Sequence, residues 1–193
     1  MPRDAVHGTM ENLSLFLIDG ISPFFRGYDK KRINWSKIPW RRIEKLSPEE
    51  RETYFRGVQE DLKVYCQKAK SFGYTAITLD DLPHLAEHRY YEASVEEQIA
   101  RNREDFGPLF DIAAEAGLDV YLTMDVVTYT PALFDRIGEN EALMHRYLVE
   151  LIDDFFTDFP GIAGLVLRIG ESDGQDVKER FRSQLVLKSP RMV

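Results

Sequence analysis

Cysteine is nearly missing from this chain: Cys66 is the only one in 193 residues. An internal disulfide and any metal site built on paired thiolates are therefore excluded. Cys66 falls inside an amphipathic stretch, where a buried, inert thiol is expected. No apolar run approaches the ~20 residues that span a bilayer. The opening residues, MPRDAVHGTMEN, have neither a basic start followed by an apolar core nor a small-residue cleavage site, so a cytoplasmic location is the default expectation. No G-x-G-x-x-G follows any apolar run, and the glycine-rich phosphate loop of an open doubly wound sheet is absent. Positive charge is in deficit, with 25 Lys and Arg against 33 Asp and Glu, a net charge of −8. Such a field repels nucleic acid and anionic membrane, and neither is expected as a partner.

What is present is an ordinary globular composition, 44% hydrophobic and 30% charged, in a chain long enough for one domain with a substantial core. Its plan is set by four apolar runs that end in acid. LSLFLID ends at Asp19, YTAITLDD at Asp80 and Asp81, and LDVYLTMD at Asp125. IAGLVLRIGE passes Arg168 and Gly170 to reach Glu171. Gly73, Gly117 and Gly161 precede the last three runs at a constant spacing of 44 residues. Apolar runs bounded by glycine read as strands buried on both faces, here near 13–19, 74–80, 118–125 and 162–169.

Helical patterns fill the intervals. Ser47-Pro48-Glu49-Glu50 supplies an N-cap, a first-turn proline and a capping-box acid. The helix that follows stops at Gly73, with Tyr54, Phe55, Val58, Leu62, Tyr65, Ala69 and Phe72 on one face. Ser94 with Glu97 repeats the box and starts a helix that ends at Gly117, in which Gly107-Pro108 predicts a kink or break. Thr130-Pro131 begins a short turn through Arg136. Asn140 begins a longer helix to about Asp158, with Leu143, Tyr147, Leu148, Leu151, Ile152, Phe155 and Phe156 facing inward. Strands separated by helices form a parallel sheet through right-handed crossovers. The expected fold is α/β, one domain over 1–193 forming the first half of a (β/α)8 barrel that breaks off after its fourth strand.

Between the first strand and the first long helix lies a connection over 21–46, far longer than usual. It holds both tryptophans, Trp35 and Trp40. From Arg26 to Lys45 it carries eight Lys or Arg against Asp29 and Glu44, a local net of +6. Aromatic rings can stack on sugars and the cations can attract a carboxylate, while loop packing and a solvated charge run are the plain alternatives.

FLIDG, INWSKI, FGYTAITLDDLPHL, EAGLDVYLTMDV and LVLRIGESDGQDV together resemble the N-terminal half of a barrel of the glycoside hydrolase superfamily. The likeness is to α-glucuronidase-like and uncharacterised bacterial glycosidase-like proteins. In retaining members the acid/base glutamate follows the fourth strand and the nucleophile the seventh. The resemblance thus gives Glu171 the acid/base role, although Gly170 stands where Asn is usual. Glycosidic cleavage needs two carboxyl groups astride the bond, one of them protonated. Arg168 either contributes to substrate binding or forms a structural pair with Glu171. Asp19, Arg26, Trp35, Asp80, Asp81, His84 and Asp125 are candidate sugar-binding residues, each also readable as a turn cap, ion-pair partner or packing residue. Alternation sends Asp80 and Asp81 to opposite faces. His84 near Asp80 lacks distinctive metal-ligand spacing, and no metal or cofactor is assigned.

The expected activity is therefore hydrolysis of oligosaccharides, with uronic-acid-bearing ones among the candidate substrates. Two alternatives stand beside it: a non-catalytic carbohydrate-binding barrel fragment and a metal-dependent sugar isomerase-like barrel. Four strands are half of a closed barrel. Completion by a C-terminal half-barrel, or by a second copy through the open edges of the first and fourth strands, is expected.

Overall fold

A computed structural model describes residues 15–19, 38–124, 131–138 and 140–167; within these, the side chains of Asp19, Trp40, Arg41, Asp80, Asp81 and Pro131 fall outside the description. The elements in order are β1 (Leu17–Asp19), α1 (Trp40–Ile43), α2 (Pro48–Ser71), β2 (Ala76–Asp81), a 3-10 turn (Leu82–His84), α3 (Ala93–Glu115), β3 (Asp119–Met124), α4 (Pro131–Ile137), α5 (Glu141–Asp158) and β4 (Ile162–Leu167).

The four strands form one sheet in the order β1-β2-β3-β4, and every neighbouring pair is parallel. α2, α3 and α5 all pack against the sheet through one shared cluster of buried side chains. Between these layers lies one core. Ile77 and Leu79 of β2 and Val120 and Leu122 of β3 pack there with Val58 and Leu62 of α2, Phe106 and Leu109 of α3, and Tyr147, Leu151 and Phe155 of α5. Fully burying each large apolar side chain contributes about 1.5–3 kcal/mol.

Local signals explain most helix ends. Ser47 and Glu50 form the reciprocal capping box of α2, with the Glu50 N–H donating to Ser47 Oγ (3.3 Å) and the Ser47 N–H donating to Glu50 Oε2 (2.8 Å). Asn140 caps α5 by accepting the Leu143 N–H at 3.1 Å. After α2 and α3 the chain turns through Gly73 (φ 89°) and Gly117 (φ 74°), in the left-handed region where a side chain is strained.

Several expectations are corrected. α3 starts at Ala93 with Glu92 at the N-cap and no side-chain cap bond, so Ser94 lies inside the first turn. Pro108 does not break that helix, which runs as one element through it. Pro108 and Glu104, whose carbonyl loses its intrahelical donor, are both exposed, so water can satisfy that oxygen. Phe72 is 72% exposed and does not cover the sheet. The end of the long 21–46 connection is built into the fold: Trp40–Ile43 is helical, and Ile38 and Ile43 are buried. β1 is only three residues long, and β2 extends to Asp81.

Two irregularities shape the sheet. Thr78 pairs with Tyr121 but Asp81 pairs with Thr123, so an extra residue is inserted near the end of β2. In β4 the register shifts after Ile162, which brings Gly164 opposite Tyr121. A Cβ on Gly164 would lie 2.9 Å from Tyr121 Cε1, so the missing side chain makes room for the ring.

Candidate functional site

The parallel sheet directs all four strand C-termini to one edge, where the leaving loops can converge. Asp19 is the last residue of β1, level with Thr78, and Asp81 is the last of β2, level with Thr123. The backbone thus brings two of the acid-bearing strand ends to the same edge. His84 follows β2 within the 3-10 turn and is half-buried. Glu171, Arg168, Asp125, Trp35 and Arg26 lie outside the described residues.

The loop over 82–92 is held by several helices. From α3, Asn102 Nδ2 donates to the His84 carbonyl at 3.1 Å, and Arg103 Nε donates to the Leu85 carbonyl at 2.6 Å. Asn102 is itself oriented by α2, whose Arg51 donates to Asn102 Oδ1 (3.0 Å) and to Asp105 Oδ2 (2.6 Å). Burial pushes the Asp105 carboxyl above its ordinary range, against the pull of Arg51. From α4, the Ala132 N–H donates to Glu92 Oε1 at 3.2 Å. The Arg136 guanidinium sits 5.2 Å from the centre of the Tyr90 ring, as does that of Arg89.

The contact with α5 centres on His88, whose side chain is 1% exposed. Its Nδ1 accepts the Tyr90 N–H at 3.3 Å, which places the proton of the neutral ring on Nε2. Nε2 then donates to Glu150 Oε2 at 3.3 Å, and Arg89 donates to the same oxygen at 2.8 Å. Tyr90 and Tyr147 each pack edge-on to the imidazole at 4.6 Å. Tyr91 and Tyr147 share a hydroxyl–hydroxyl hydrogen bond, and burial pushes the Tyr91 phenol up to about 12. Desolvation holds the His88 pKa below its ordinary value even though Glu150 favours the cation.

Beside this cluster is an open cleft of about 310 Å³ between the loop, the first turn of α3 and the end of α5, lined mainly by Glu87, His88, Arg89, Glu96 and Asp154. Among the described residues no group of three or more His, Cys, Asp or Glu is placed to hold a metal ion. Nor is any described helix long and apolar enough to cross a membrane.

Sequence reasoning identifies Tyr147 as an inward-facing residue of α5 but misses its hydrogen bond to Tyr91 and the partnership of His88 with Glu150. These partners are 56 and 62 positions apart, and no local pattern joins them. The one available signal is a polar pair, His88 and Tyr91, in a loop bounded by apolar residues. No family model matches the chain, and a search of curated proteins finds no match.

Proposed function

We propose that the chain contributes the first half of a (β/α)8-type barrel that hydrolyses oligosaccharides bearing uronic acid, with Glu171 as general acid/base. The observation that carries this reading is the four-stranded, all-parallel sheet in sequential order, which brings the strand ends Asp19 and Asp81 to one edge. A barrel grows by this repeat and places its chemistry at that edge. In the proposed mechanism Glu171 protonates the departing glycosidic oxygen. Asp19, one of Asp80 and Asp81, Asp125 and His84 hold sugar hydroxyls, Trp35 offers a stacking face, and Arg26 and Arg168 draw in the uronate. A second carboxylate, required by the reaction, belongs to a later strand.

β1 and β4 are the sheet edges among the described residues; Phe16, just before β1, is 58% exposed and Leu167, the last residue of β4, is 62% exposed. Further strands, supplied by a C-terminal half or by a second copy, would complete the barrel there.

A panel of aryl glycosides and glycosiduronates tests the activity. In the intact protein, Glu171→Gln is expected to lower kcat by ~10² or more while sugar binding persists, the usual scale for a general acid. Unchanged turnover on a substrate with a poor leaving group overturns the role of Glu171. Absence of both turnover and sugar binding across the panel overturns the carbohydrate reading.

A further inference from the structure

We propose that His88 is a pH-sensitive clasp, in which protonation at Nδ1 opens the turn over 88–91 and releases the end of the β2–α3 loop from α5. The geometry makes the two states distinct. In the closed state Nδ1 is the acceptor for the Tyr90 N–H, and Nε2 is the donor to Glu150. An imidazolium carries a proton on both nitrogens, so Nδ1 can no longer accept, and its N–H points at the Tyr90 N–H. The packed Tyr90 and Tyr147 rings leave little freedom for the imidazole to turn away.

The surrounding charges pull in opposite directions. On the loop, Glu87 lines the adjoining cleft and Arg89 opposes a second cation, with the Tyr90 and Tyr91 phenols nearby. From α5 come Glu150, Asp154 and Asp158 and the Tyr147 hydroxyl, and from α3 comes Glu96. Glu150 and Asp154 favour protonation, but desolvation of the buried ring outweighs them. The closed state therefore prefers neutral His88. Its folded pKa lies below the ordinary 6.5, so the clasp is at full strength above pH 6.5 and is lost as pH falls through the folded value.

Release is local. The first part of the loop stays pinned to α3 through Asn102 and Arg103, whereas the turn and its neighbour Glu92, bonded to α4, depend on how the chain leaves His88. The same loop continues from Asp81, so acid would loosen the outer wall of the strand-end edge without melting the sheet.

Imidazole NMR of His88 and amide exchange at pH 7.5 and 5.5, corrected for intrinsic rate, test the clasp, with His84 and His145 followed in the same spectra. For a released histidine of pKa near 6.5, linkage limits the gain in opening to about tenfold at pH 5.5. The expected result is His88 titrating below 6.5, loss of Tyr90 and Tyr91 amide protection by up to that factor, and unchanged protection at Val120 and Leu122. His88→Gln should retain a donor to Glu150 and abolish the pH response. Titration at or above 6.5, protonation without loss of protection, or an equal response in His88→Gln overturns the proposal. Should that variant not fold, the wild-type titration and protection pattern decides alone.

Discussion

Truncating Asn102 to alanine tests whether the candidate site is held by the polar network beneath it. Asn102 is 2% exposed and joins three elements, accepting from Arg51 of α2 and donating to the His84 carbonyl of the loop. The bond from Arg51 is charge-assisted and contributes about 1.5–3 kcal/mol, and the neutral bond to His84 about 0.5–1.5 kcal/mol. Asn102→Ala should therefore cost about 2–4 kcal/mol. For a chain of this size that corresponds to roughly 6–12 °C in Tm. Thermal and urea melts give the total. A cycle of Arg51→Met with Asn102→Ala should show coupling of about 1 kcal/mol or more. A Tm change under about 2 °C, or additive single effects, refutes the view that this network fixes the loop.

Gly164→Ala places a Cβ against the Tyr121 ring at 2.9 Å and should destabilise by about 1–3 kcal/mol in a urea melt, with Tyr121→Ala in the same background restoring much of the loss. An unchanged melt would mean that β4 yields without cost. Cys66 is fully buried and its thiol is pushed up to about 11, so a disulfide reagent at pH 8 should modify the native chain at least ~100-fold more slowly than the unfolded chain. Comparable rates would place that face of α2 outside the core.

The sheet was legible because its strands are punctuated: an apolar run after each recurring glycine has few alternatives to a buried parallel strand. The caps at Ser47 and Asn140 were legible for a similar reason, since each acts within four residues of itself. Ser94 misled because its capping pattern is local, whereas the start of α3 is set by where the chain comes from. The Tyr91 N–H closes a turn on the His88 carbonyl, and the Val95 and Glu96 N–H groups already bond the Glu92 carbonyl. Pro108 does not break α3 because a proline's penalty depends on whether the freed carbonyl meets water, a fact about exposure rather than sequence. The bulge near Asp81 hid from alternation because one inserted residue reverses the parity that alternation counts. The site was legible only as a row of acids at strand ends. Its polar supports join residues too far apart in sequence for any window to connect.

The two ends of the sheet are built by different rules. On the side where strands begin, connections are minimal: 72–75 joins α2 to β2, 116–118 joins α3 to β3, and 159–161 joins α5 to β4. Among the described residues, the side-chain bonds there include Lys70 donating to the Gly117 carbonyl at 2.6 Å and the Phe16 N–H donating to Thr75 Oγ1 at 3.0 Å. On the side where strands end, the loop over 82–92 takes hydrogen bonds from α3 and α4 and bonds and packs on α5. Removing one partner from such a network strands buried groups and is costly, but the intact network's net gain is modest, because each group gives up water before it gains a partner. Stability alone would favour the short turns of the other side. A long loop held at several points from three helices instead fixes the position of whatever it carries, and it leads directly away from Asp81. Rigid support beside the strand ends that carry Asp19 and Asp81 is what chemistry at that edge would require. Support is therefore concentrated on the same side as the acids that motivated the catalytic proposal, an agreement between two observations that arise independently in the chain.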